Sequence, residues 1–137
     1  MNKKQLSRLF YLLQEIEELE ERIYRVDNQS VGVSRLSGMP MNKHGISNPV
    51  EKRIILLNEL KEILESKKTE AINERIIIEK YIYSIRDLEV QKIFRKRYIE
   101  FKKWDQVAKE MFMCVRTIHR KHSNLLKQEK EYEEYNN

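Results

Sequence analysis

Hydrophobic residues in this chain recur at three- and four-residue steps almost from the start, the spacing that lines one face of an α-helix. Leu6, Leu9, Leu13, Ile16, Leu19, Ile23 and Val26 keep that rhythm, while Glu15, Glu17, Glu18, Glu20 and Glu21 crowd the positions between them. The pattern predicts an amphipathic helix from about Lys3 to Val26. A second series, Val50, Ile54, Leu57, Leu60, Leu64, Ala71, Ile78, Ile82 and Ile85, predicts another helix. It would run for about 35 residues, roughly 50 Å, too long for an isolated globular element. Asn48-Pro49-Val50-Glu51 opens it with an N-cap, a proline at the first helical position and an acid at the third. Gly32, Gly38, Gly45, Pro40 and Pro49 are the only glycines and prolines, and all lie between Asp27 and Pro49. Residues 27–49 therefore read as a loop, and the rest of the chain is free of strong helix breakers.

Past Ile85 the pattern shortens. Three brief helical segments, Asp87–Tyr98, Trp104–Met111 and Val115–Lys127, follow with almost no linker. In the middle one Val107, Ala108 and Met111 share a face, and the small Ala108 lets the next helix cross closely. A three-residue turn, Phe112-Met113-Cys114, leads to the last, where Ile118, His122 and Leu125 recur at i, i+4, i+7. Tyr98 and Trp104 read as core residues joining the three segments. Arg116, Thr117, His119, Arg120 and Lys121 fall largely on the other faces. Aliphatics inward and base-capable side chains outward are what a major-groove reading helix requires, so 87–128 is predicted to be a helix-turn-helix unit.

Charge sharpens that picture. Residues 87–128 carry 11 basic and 5 acidic side chains, while 1–49 carry 7 and 6, and 50–86 carry 8 and 7. The last nine residues carry 1 basic and 4 acidic groups, an acidic tail over 129–137. The chain's whole formal charge of +5 thus originates in the helix-turn-helix segment. A concentrated excess of this kind is an electrostatic footprint for phosphate, and double-stranded DNA is the partner it implies. Arg116, Thr117, His119 and Arg120 are the candidates for base edges. Lys102, Lys103 and Lys121 are the candidates for phosphate contacts, which position the protein without specifying sequence.

Asp87-Leu88, Ile93-Phe94-Arg95-Lys96-Arg97-Tyr98-Ile99, Trp104-Asp105-Gln106-Val107-Ala108, Arg116-Thr117-Ile118, His122 and Leu125 resemble the C-terminal part of region 4 of bacterial sigma-70 factors. More closely, the chain resembles small phage regulators of the ArpU/RinA type. Ser37-Gly38-Met39-Pro40 and Gly45-Ile46-Ser47-Asn48-Pro49 are similar to the linker of those regulators, so the resemblance covers about the last 100 residues. It departs at two places. The turn, usually a glycine, a hydrophobe and a serine, is here Phe112-Met113-Cys114, and Gln91 stands where an arginine is common. The resemblance implies activation of late phage or prophage genes, with engagement of RNA polymerase in the manner of sigma region 4.

Composition bounds the alternatives. At 137 residues, 36% of them charged, the chain makes one or two domains with a modest core. No apolar run approaches the length of a membrane span, and the N-terminus lacks the apolar stretch of a secretion signal. One cysteine, Cys114, excludes an intrachain disulfide framework and fits the reducing bacterial cytoplasm. No nucleophile, base and carboxylate come together around His44, His119 or His122, and there is no glycine-rich phosphate loop, so an enzyme and a cofactor are not expected. Cys114, His119 and His122 lack a common face and a fourth ligand, which argues against zinc.

The reading is therefore an all-α protein. Residues 1–86 would form a helical hairpin or coiled coil serving association, with homodimerisation expected from its apolar stripes. Lys68 and Arg75 interrupt the register of the second helix and argue against a long regular two-stranded coil. In the 27–49 loop, Arg35, Met39, Met41, Lys43 and His44 are candidates for a partner or the DNA backbone, against the alternative of a plain tether. Two other classes join similar parts: a phage packaging protein such as a small terminase subunit, which would form a large ring, and a purely structural coiled coil, which would leave the basic segment unexplained.

Overall fold

The computed structural model describes residues 1–29 and 48–137, and among them every regular element is a helix. These are α1 (Lys3–Asn28), α2 (Pro49–Ser84), α3 (Leu88–Tyr98), α4 (Trp104–Glu110) and α5 (Val115–Asn136). The class is all-α. Among the described residues no helix is long and apolar enough to cross a membrane. Arg35, Met39, Met41, Lys43 and His44, and the linker-like segment around them, lie outside the described residues.

Helix starts follow local chemistry. The Asn48 side chain accepts from the Val50 amide at 3.0 Å, capping α2 ahead of Pro49. Asp87 caps α3 by accepting from the amides of Glu89 and Val90. Gln91 donates to the carbonyls of Tyr83 and Ile85 at 3.5 and 3.4 Å, satisfying acceptors in the last turn of α2 and just past it.

The chain divides into two compact units, Met1–Leu13 with Glu70–Asn137, and Gln14–Thr69. Within Gln14–Thr69, α1 and α2 run antiparallel. Lys67 meets Glu15 at 3.1 Å, Lys68 meets Glu20 at 3.5 Å, and Arg53 donates to the Asp27 carbonyl. Leu57, Leu60 and Leu64 are buried there, while Val50, Ile54, Ile55, Leu56 and Ile63 remain exposed. In the other unit Leu6, Leu9 and Leu12 of α1 and Ala71, Ile78 and Ile82 of α2 are buried. Arg8 ties the same segments together through Glu70 at 2.8 Å. Leu12 is buried here, whereas Leu13 of the sequence pattern is exposed: the buried face of α1 steps by threes through Leu6, Leu9 and Leu12.

Two boundaries differ from those the sequence implies. A break at Asp87 falls inside one unit, because the N-terminal turns of α1 and the last four turns of α2 belong with α3–α5. The acidic tail is not a separate segment either. α5 continues through it to Asn136, and Glu129 accepts from the Tyr81 hydroxyl at 2.7 Å and pairs with the Met1 ammonium at 3.2 Å.

Candidate nucleic-acid interface

α3, α4 and α5 pack against one another pairwise. Ile93, Val107, Ala108 and Ile118 form the buried centre, and Trp104, Met111, Met113 and Val115 close around it. Ala108 is 4% exposed, at the crossing where a larger side chain would hold the helices apart. A second layer is aromatic. His122 stacks on Phe94 with ring centroids 4.9 Å apart and meets the edge of Trp104 at 4.9 Å. Its Nε2 lies 2.6 Å from the Tyr98 hydroxyl. Burial pushes His122 down to about 4, helped by Lys3, His119 and Arg97, and pushes Tyr98 up to about 12. Both partners are therefore neutral, and this bond between uncharged groups leaves no ion in the core. Leu125 is half-buried.

The turn between α4 and α5 has an unusual backbone. Phe112 sits at φ 54° with its ring 96% exposed. In a left-handed conformation a side chain crowds its own carbonyl, which is why glycine is the common occupant of such turns. The Met113 amide nevertheless reaches the Ala108 carbonyl at 3.0 Å, so the turn closes tightly. Cys114 occupies the N-cap of α5 without capping a backbone amide. Its Sγ lies instead 3.0 Å from the Thr117 hydroxyl, and that contact, with the Thr117 amide, draws the thiol below its usual range.

Opposite Ile118 and His122, α5 presents Arg116, Arg120, Ser123 and Lys127 at i, i+4, i+7 and i+11, all exposed. The three basic residues have no ion-pair partner among the described residues and span about 16 Å of helix. Thr117 is half-buried, with its hydroxyl turned to Cys114. His119 is exposed, but its ring rests on Trp104 at 4.7 Å, so it stands at the edge of the basic stripe. The Arg97 guanidinium lies over the Trp104 ring, 4.7 Å from its centroid, and Arg97 donates to the Lys102 carbonyl at 3.0 Å.

The three phosphate-candidate lysines are not equivalent. Lys102 pairs with Glu110 at 2.7 Å and Glu100 at 3.6 Å; the Glu110 bond raises the lysine above its usual value, and Glu110 is lowered in return. Lys121 is held by Glu89 across α3 and α5. Only Lys103, exposed at the N-cap of α4, has no such partner among the described residues. Sequence reasoning missed Lys127, although its eleven-residue step from Arg116 returns to the same face. It also missed the carboxylates that occupy Lys102 and Lys121, since Glu110 and Glu89 come from neighbouring helices. Among the described residues no cluster of His, Cys, Asp or Glu could hold a metal ion.

Residues 43–130 match a family described as a protein of unknown function, DUF1492. The chain belongs to the DUF1492 family. The match takes in α2, α3, α4 and most of α5, hence every residue of the basic stripe and its packing, and leaves α1 outside. No curated protein and no solved structure matches this DUF1492 chain.

Proposed function

We propose that this protein is a sequence-specific DNA-binding regulator that reads the major groove with the first half of α5. The observation that carries the reading is the exposed stripe of Arg116, Arg120 and Lys127 on a helix whose opposite face is locked into the α3–α4 core. Arginines there have free forks for the O6 and N7 of guanine, the commonest specific contact in the groove. Lys103, at the start of α4, is placed on the phosphate backbone, and Lys102 and Lys121 hold the unit together through Glu110 and Glu89 instead. α5 measures about 33 Å, longer than the groove is wide, so its acidic end from Glu129 onward leaves the DNA.

A homodimer reading two half-sites is part of the proposal, supported by the exposed apolar residues of α2. The resemblance to ArpU/RinA-type regulators and to sigma region 4 extends it to activation of late phage or prophage genes through RNA polymerase, in the bacterial cytoplasm. The role is one of binding; no reaction is part of it. The test is selection of bound duplexes from a random pool, followed by affinity measurements with Arg120→Ala on a selected and a scrambled site. A loss of about 1–3 kcal/mol on the selected site, and much less on the scrambled one, supports base reading. Absence of any enriched sequence, or equal losses on both duplexes, would remove specific recognition by α5. Large rings instead of dimers in solution would favour the packaging-protein reading.

A further inference from the structure

On the face of the DNA-candidate unit formed with α1, a cavity of about 300 Å³ opens between Leu6, Phe10, Tyr11, Arg97, Phe101 and Lys103. Its walls are aromatic: Phe10 lies 5.6 Å from Phe101 and 5.7 Å edge-on to Tyr11. Phe101 is held there at φ 56°, a conformation a bulky residue adopts only when its surroundings impose it. Tyr11 is 61% exposed and Phe10 41%, so the apolar surface is open to a visitor. No carboxylate lines the cavity, and Arg97 and Lys103 have no carboxylate partner among the described residues. Such a site selects an aromatic ring flanked by negative charge.

The chain carries a segment of that chemistry. Glu131-Tyr132-Glu133-Glu134-Tyr135 ends α5, with Tyr132 72% and Tyr135 90% exposed and on one face at i, i+3. In its own chain this segment is helical to Asn136, is anchored at Glu129 to Tyr81, and contributes nothing to the cavity. We infer that the acidic, tyrosine-bearing end of α5 from a second copy of this chain docks in the cavity between Phe10, Tyr11, Phe101 and Arg97, leaving the exposed Lys103 at its rim. Tyrosine suits the place because its ring buries apolar area while its hydroxyl keeps a polar partner. Reciprocal docking, each tail in the other's cavity, makes a closed two-fold dimer. The inference rests on the two-copy part of the proposed function and not on DNA.

Sedimentation velocity on the full chain, without DNA, tests it. Tyr132→Ser/Tyr135→Ser removes the rings, and Tyr11→Glu places a carboxylate where the acidic tail lands. All three positions are exposed, so the fold is retained, which equal circular-dichroism melts verify. Each variant is expected to raise the dimer dissociation constant at least about tenfold. Mixing the two variants should restore heterodimers, since one intact tail still meets one intact cavity. A parent chain that is monomeric throughout would overturn both the dimer and this surface. A parental dimer that both variants leave unchanged, or two weakened variants that fail to complement, would overturn the tail-in-cavity contact alone.

Discussion

Two phenylalanines show how the same local feature has opposite consequences in different surroundings. Phe101 and Phe112 share a left-handed backbone, at φ 56° and 54°. Such a conformation costs a non-glycine residue roughly 1–2 kcal/mol, and glycine relieves it at an unfolded-state cost of about 0.4–1 kcal/mol. Phe112 is 96% exposed and has no packing to lose. Phe112→Gly should therefore stabilise the protein by about 0.5–1 kcal/mol. Phe101→Gly gives up the contact with Phe10, worth about 0.5–1.5 kcal/mol beyond its buried area, and should destabilise. Urea titrations decide between them, and shifts of the same sign would mean that backbone strain is not what distinguishes these sites. His122 adds a pH dependence. Its folded value of about 4 lies below the unfolded 6.5, so between those values the unfolded chain binds the extra proton. Stability is complete above pH 6.5 and declines as pH falls toward 4, by about 2 kcal/mol at pH 5. The difference in urea midpoint between pH 7.5 and 5 should shrink in His122→Gln, which keeps a hydrogen-bond partner for Tyr98 but does not titrate. An unchanged difference would assign the pH dependence to carboxylates.

At the scale of helices, the fold was largely legible because apolar spacing and breakers agree. Leu57, Leu60, Leu64, Ala71, Ile78 and Ile82 carry the predicted face of α2 into the interior and Ile85 follows just past its end, while Val50 and Ile54 of the same series stay exposed; Asn48-Pro49 marks the first turn. The course of α5 past Lys127 was not legible. Its charge pattern changes there from basic to acidic, yet a helix needs only propensity and an anchor, which Tyr81 supplies to Glu129 from 48 residues away. The candidate site was legible in part. Arg116 and Arg120 follow from periodicity, because residues opposite Ile118 must face solvent. Lys102 could not be told from Lys103, because what separates them is Glu110, eight residues from Lys102 and brought to 2.7 Å only by the fold of α4. The crossing of α4 and α5 gives a prediction that separates packing from recognition. Ala108→Asp puts a carboxylate among Ile93, Val107 and Ile118 without a partner, and should cost more than about 3 kcal/mol or unfold the unit. Arg116→Ala, at an exposed position, should alter the thermal midpoint little while weakening DNA binding. Comparable losses in the two melts would make Arg116 structural.

For the molecule as a whole, the question is how a formal +6 over residues 87–128 is presented to a polyanion. Much of it is already answered internally: Glu89 holds Lys121, while Glu110 holds Lys102 and lies 3.6 Å from Lys96. Without an ion pair among the described residues are the exposed stripe of α5 and Lys103, together with Lys92, Arg95, Arg97 and Lys109. The acidic end of α5 carries 4 carboxylates over its last nine residues and would be repelled by DNA, so the field has a direction along the helix. Counterion release turns this arrangement into a measurement. Each lysine that neutralises a phosphate adds about 0.9 to the slope of log affinity against log salt. Lys103→Ala should lower that slope by about 0.9 and weaken selected and scrambled duplexes alike. Lys102→Ala should leave the slope where it is, since Glu110 already takes up that charge. The experiment is a salt titration of binding by the parent and the two variants on both duplexes. An equal drop in slope for the two lysines would mean that Lys102 leaves Glu110 for a phosphate on binding. A parent protein whose affinity ignores salt would end the DNA-binding proposal, because no arrangement of these charges against a duplex escapes counterion release.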